Sequence, residues 1–268
     1  MKETQHFGFA RYPRPRNPGG GLMKYFLPIL LLASAGLSPM GLSQTYTTHF
    51  EGNEKPLSEG GSWANNGLDW TKITKSGGLA CGTQTGTNTG PSKFDDSYAH
   101  LSGFPADQEA EGVARIVKPD SSCHQELEIL LRFSSSPHKT TGYECFARCL
   151  SSGSSYVQIV RWDGPLGKFT YLADMQGPNY GLKTGDVLKA SIVGNLITVS
   201  INGVQKAQVT DNTFQTGNPG IGEFLFCDGG HGVGSNADFG FSSFTANGIG
   251  KANGRQSPGN STENPPRR

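Results

Sequence analysis

Between residues 44 and 247 short runs rich in Val, Ile, Thr, Tyr and Phe stand between clusters of Gly, Asn, Pro and Ser. No apolar pattern of helical period lasts three turns, so the spacing predicts strands throughout. Ten segments read as strands: GVARIVKP, QELEILLRF, GYECFARCL, SYVQIVRW, KFTYLAD, DVLKASIV, LITVSI, VQKAQV, IGEFLF and ADFGFSSFTA. Strands in this number predict an all-β domain built as a two-sheet antiparallel β-sandwich.

The stretch GDVLKASIVGNLITVSINGVQ, residues 185–205, shows the pattern most plainly. Successive side chains on a strand face opposite sides. Leu188, Ala190 and Ile192 therefore share one face, as do Ile197, Val199 and Ile201, while Lys189, Ser191, Thr198 and Ser200 face outward. Gly194-Asn195 and Asn202-Gly203 supply the positive φ angles of two-residue hairpin turns. The stretch is predicted to be a three-strand meander.

The two ends read differently. From Met23 a charged start, the apolar run Tyr25–Leu32 and small residues near Ala35 or Ser43 have the form of an export signal. Residues 1–22 precede this signal, and Met23 is the expected start. The apolar run is shorter than the ~20 residues of a membrane-spanning helix, so the mature chain is expected to have no membrane span and to be secreted. Residues 248–268 are rich in Gly, Pro, Asn and Ser and are expected to be disordered. The domain is thus placed at 44–247, between a leader, 1–43, and a tail. Removing residues 1–43 takes five of the 23 basic residues and one of the 22 acidic ones, leaving 18 against 21. A slightly acidic chain with dispersed cations argues against nucleic acid as a partner.

The run GDVLKASIVGNLITVSINGV through DNTFQTGNPGIGEF, with HQELEILLRF, GYECFARCL, YVQIVRWDG and ADFGFSSFTA, resembles the concanavalin A-like lectin/glucanase jelly rolls. The resemblance implies a jelly-roll sandwich and a carbohydrate, above all a polysaccharide, as ligand. That superfamily includes lectins, binding modules, hydrolases, lyases and laminin G-like adhesion domains, so individual residues must decide the function.

HQELEILLR places His124, Glu126, Glu128, Leu130 and Arg132 on one strand face. Glutamates at i and i+2 lie ~6.5–7 Å apart at Cα, a spacing at which paired carboxylates divide acid and nucleophile roles. The pair resembles two positions of the Glu-x-Asp-x-Glu strand of laminarinase-type hydrolases, but Leu130 stands at the third. Cross-strand pairing with Arg132 or Arg148 is the plainer role for Glu126 and Glu128. A uronate lyase would need a Tyr or His base and a cation for the carboxylate. His124, Gln125, Arg132, Tyr143, Arg148, Gln158 and Arg161 are candidates on successive strands, although the Arg-rich and Gln-x-His motifs of alginate lyase-type jelly rolls are missing. Binding alone asks for aromatic rings beside amides and carboxylates, and Trp162 with Asp163 at a strand end fits, near Tyr143, Tyr156, Tyr171 and Tyr180.

The Gly-rich segment CDGGHGVGSNAD offers Asp228, His231, Asn236 and Asp238 as oxygen or nitrogen ligands for Ca2+, without EF-hand spacing and without a requirement for any cofactor. Five cysteines, Cys81, Cys123, Cys145, Cys149 and Cys227, are expected to form disulfides with one thiol left over; the connectivity stays open, and Cys123 with Cys145 or Cys149 together with Cys81 with Cys227 is one arrangement that would fit. Cys145 and Cys149 share a strand face and lie too far apart to pair with each other. The leading expectation is a secreted polysaccharide-binding jelly roll without catalysis. A carbohydrate-active enzyme on the same face is the alternative, with laminin G-like adhesion as a third.

Overall fold

The computed structural model describes residues 44–227 and 234–250. Residues 1–43, read above as a leader, and most of the expected tail therefore lie outside the described residues. Among the described residues fifteen strands form two sheets, and the two-sheet antiparallel sandwich expected from the strand pattern is what they adopt. The first sheet runs β13 (Val204–Thr210), β12 (Leu196–Ile201), β11 (Val187–Val193), β6 (Gln108–Ile116), β15 (Phe239–Gly248), β4 (Leu79–Cys81) and β3 (Thr74–Ser76), with β1 (Thr45–Thr48) also pairing β15. The second runs β10 (Phe169–Gln176), β9 (Tyr156–Gly164), β8 (Lys139–Arg148), β7 (Cys123–Ser136), β14 (Asn218–Cys227), β5 (Ser97–His100) and β2 (Thr71–Lys72). Among the described residues no helix is long and apolar enough to cross a membrane.

The meander forms in the expected register: Leu188 faces Ile201, Ala190 faces Val199 and Ile192 faces Ile197 across β11 and β12. All six side chains are buried between the sheets. Asn202 and Gly203 both take positive φ, whereas at the first turn Gly194 does so and Asn195 does not, matching the two hairpin turn classes that suit twisted strands. All ten strands read from the pattern exist. The five short strands before residue 101 were not read, because two to four residues are too few to show alternation.

β7 is buried on both faces. Leu127, Ile129 and Leu131 enter the main core with Tyr143, Cys145, Ala147, Val157 and Ile159. On the opposite face Leu130 joins Trp70, Tyr98, Phe133 and Trp162 in a second apolar cluster. Alternation stops at Arg132, which sits in a bulge with φ +45°. Two glycines at positive φ admit the bulge: a Cβ on Gly142 would lie 2.7 Å from the Arg132 carbonyl oxygen, and one on Gly217 2.2 Å from it.

The cysteine pairing differs from the expectation. Cys123 bonds Cys227, its direct cross-strand partner on β14. Cys81, Cys145 and Cys149 are free thiols, the last two buried in the main core as the shared-face argument requires. Neither Cys123 with Cys145 or Cys149 nor Cys81 with Cys227 forms, because strand order places β14 beside β7 and sends Cys145 of β8 and Cys149 just beyond it inward, where a thiol packs as a small apolar group.

Candidate functional site

The outer face of the second sheet carries a cleft of about 290 Å3. Alternation aims Glu126 of β7, Glu144 and Phe146 of β8, and Tyr156, Gln158, Val160 and Trp162 of β9 at its floor. Phe169 and Tyr171 of the edge strand β10 form one wall, and Phe224 and Phe226 of β14 the other. Lys93 and Phe94, from the 3-10 turn Gly90–Phe94, complete the rim. The rings brace one another edge to face: Phe94 and Phe169 are 4.9 Å apart, Trp162 and Phe169 5.3 Å, Phe169 and Tyr171 5.5 Å. Lys93 lies over the rings of Phe94, at 4.7 Å, and Phe226.

Several residues proposed from the sequence meet in this cleft. His124 lines it, and its Nδ1 lies 3.0 Å from the Tyr156 hydroxyl. That hydroxyl also donates to Glu126 Oε1. Gln158 donates to Asp174 at 2.8 Å and remains partly exposed. Trp162 borders the cleft but is 2 % exposed, and its indole N–H donates to Glu144. It is a brace in the floor, the packing role that a strand-end Trp can also play.

Others do not reach the cleft. Glu128 is wholly buried beneath it, so Glu126 and Glu128 do not form a substrate-facing pair. Arg132 leaves the face through its bulge and donates to the carbonyls of Ala106, Phe214 and Gly194 and to Asp107. Tyr143 points into the sandwich and donates to Asp211 at 2.7 Å. Asp163 and Arg161 lie on the same side as Tyr143, with Arg161 bridging Asp163 and Asp211. Arg148 is on the cleft face, but both of its terminal guanidinium nitrogens donate to backbone carbonyls, those of Ser121, Cys123 and Ser154. The uronate-lyase set is therefore dispersed. Of the proposed Ca2+ ligands, Asp228 and His231 lie outside the described residues. Asn236 donates to the Gln84 carbonyl, and Asp238 closes a capping box with Ser235.

Two acids were missed. Glu144 was hidden in GYECFARCL, where a lone carboxylate among Cys, Phe and Ala carries no spacing signal. Asp96 immediately precedes β5, whose place beside β14 is not readable from the chain. The Tyr98 hydroxyl faces both, at 2.7 Å from Asp96 Oδ2 and within hydrogen-bonding distance of Glu144 Oε2. One hydroxyl proton cannot be donated twice, so in the absence of another positive species the second contact requires a proton on a carboxyl group.

Burial pushes Glu144 up to about 7, against the hydrogen bonds from Tyr98 and Trp162. Burial likewise pushes Glu126 up to about 8; Glu144 adds to this, and the Tyr156 hydrogen bond and the Arg148 charge oppose it. Its carboxyl also faces the His124–Tyr156 contact from β7 and β9. The folded state thus holds the Glu126 proton more tightly than the unfolded chain. Its contribution is full below the ordinary 4.5 and is lost as pH rises through about 8. In chelator, the urea midpoint is expected to fall over that window, and Glu126→Gln to flatten part of the fall; an unchanged slope in the variant would assign the dependence elsewhere.

No protein-family model matches the chain, and none of the curated proteins does. Solved structures do resemble it. A carbohydrate-binding module, CBM66 from Bacillus subtilis, is 13 % identical with a TM-score of 0.46, over 72 % of this chain and 96 % of that one. Galectin LEC-6 of Caenorhabditis elegans is 16 % identical with a TM-score of 0.36, over 56 % and 89 %. The β-porphyranase BpGH16B of the human gut bacterium Bacteroides plebeius is 10 % identical with a TM-score of 0.42, over 78 % and 93 %. Likeness at this level concerns the sandwich and leaves function to the cleft.

Proposed function

We propose that this chain is an exported carbohydrate-binding domain that holds a neutral polysaccharide along the outer face of the second sheet, without catalysis. The observation that carries the reading is the composition of the cleft. Aromatic rings form its walls, with Tyr171 56 % exposed, and carboxyl and amide groups stand at its floor. Rings match the apolar faces of pyranoses, and buried acceptors orient hydroxyls. Arg148, the arginine on the cleft face, gives its terminal nitrogens to backbone carbonyls, and Lys93 stands at the rim over aromatic rings, so the described lining holds no arginine clamp for a uronate carboxylate.

The purified protein is expected to be retained on insoluble neutral polysaccharides, with no release of reducing ends and no absorbance from unsaturated uronates. Tyr171→Ala should weaken binding by about 1–2 kcal/mol, or roughly 5- to 30-fold in Kd, and leave the thermal midpoint unchanged. Retention untouched by this change would remove the cleft from the reading. One observation favours hydrolysis as a second reading: Glu126 lines the cleft and holds its proton up to about 8, as a general acid must. Reducing ends that disappear with Glu126→Gln would establish it.

A further inference from the structure

Three carboxyl groups from different parts of the second sheet converge under the cleft: Asp96 before β5, Glu128 on β7 and Glu144 on β8. One oxygen from each lies within 4.8 Å of the other two. Two oxygens bound to one Ca2+ at 2.3–2.6 Å can be at most about 5 Å apart, so the three fit within a single coordination sphere.

Convergence alone would be an acidic cluster, but Glu128 adds a separate observation. It is 0 % exposed, and no donor reaches either carboxyl oxygen; Asp96 Oδ1 is buried without a donor in the same way. The Tyr98 hydroxyl contacts Asp96 Oδ2 and Glu144 Oε2, and Trp162 donates to the same Glu144 oxygen. Asp96 Oδ2 and Glu144 Oε2 thus have hydrogen-bond partners, whereas Asp96 Oδ1 and both Glu128 oxygens have none among the described residues. Burying unpaired carboxylates costs several kcal/mol each unless a positive charge accompanies them.

The backbone makes room for this arrangement. Glu128 lies directly opposite Gly222 of β14, and a Cβ there would come within 1.9 Å of Glu128 Oε2. Any residue but glycine at 222 would drive the carboxyl away from its neighbours.

We propose that Asp96, Glu128 and Glu144 form a site for a divalent, oxygen-preferring cation, Ca2+, at the floor of the cleft. Asp96 and Glu144 both line the cleft, which gives the ion its way in. A donor set of carboxylates alone, with neither imidazole nor thiolate, suits Ca2+ rather than zinc. This site is separate from the Gly-rich segment suggested by the sequence, and it stands whether or not the cleft takes a glycan.

The test is a Tb3+ titration of the full chain with excitation of tryptophan. Trp162 is hydrogen-bonded to Glu144, so an ion held there lies close enough for sensitised emission. Emission is expected to saturate at one equivalent, to be displaced by Ca2+, and to lose its saturable phase in Glu128→Gln and in Asp96→Asn. Because either variant could unfold, the wild-type protein carries a second readout: millimolar Ca2+ should raise its thermal midpoint by several degrees, and chelator should reverse the rise. Saturable emission that persists in Glu128→Gln would place the ion elsewhere. Neither saturation nor a Ca2+-dependent midpoint in the wild-type protein would overturn the site and leave the cluster held by protons alone.

Discussion

Trp162→Ala is expected to cost the fold about 3–5 kcal/mol, the range for removing a buried aromatic side chain. Trp162 is 2 % exposed and lies 5.6 Å from Trp70, 6.2 Å from Tyr98 and 5.3 Å from Phe169, ring centre to ring centre. Truncation opens a cavity in the second apolar cluster and also strips Glu144 of its indole donor. The two losses act on the same floor, so they should not simply add. Urea unfolding separates them: Trp162→Phe keeps most of the packing and loses only the hydrogen bond, so its midpoint should fall between those of wild type and alanine. An alanine variant as stable as wild type, with only ligand binding reduced, would make Trp162 a platform instead of a brace. The contrast with Tyr171, which stands in the same cleft with more than half its surface in water, is the contrast between a residue that builds the site and one that uses it.

Alternation made most of the sandwich legible, and where it failed the cause is a local backbone event. From His124 to Leu131 every second residue falls on the predicted face. The positive φ at Arg132 then turns the next side chain out of register, and a non-glycine residue in that conformation leaves no mark in the sequence. Extending the face past the bulge is what placed Arg132 in the groove. The same reading put Tyr143 there, but β8 pairs Glu144 with Leu130 and Tyr143 with Leu131, which sends Tyr143 inward and brings Glu144 to the cleft. Which of two adjacent residues faces the site thus depended on register across the sheet, a quantity set by turns, bulges and strand order together. The aromatic walls escaped for a related reason: Phe169, Phe224 and Phe226 belong to strands that are distant in sequence and meet only because β10 and β14 flank the central strands.

Removing the disulfide, by Cys123→Ser with Cys227→Ser, is expected to cost about 4–5 kcal/mol. The bond spans 104 residues of sequence, and loop-closure entropy for a ring of that size amounts to about 4.7 kcal/mol in the chain-entropy model. That is a large share of the roughly 5–15 kcal/mol that holds a typical domain together. The bond ties the first residue of β7 to the last of β14, at the end of the pair that carries Glu126, Glu128, Phe224 and Phe226, so its loss should loosen the cleft before the meander. Hydrogen exchange can show the order: amides of β7 and β14 should lose protection in the double-serine variant while those of β11 and β12 keep theirs relative to global unfolding. The thiol count checks the pairing itself. Alkylation of the denatured, unreduced protein should add three groups, for Cys81, Cys145 and Cys149, and a single addition would restore the two-bond arrangement read from the sequence. Under native conditions Cys145 and Cys149 should resist the reagent, because burial removes access and pushes both thiols up, away from the reactive thiolate.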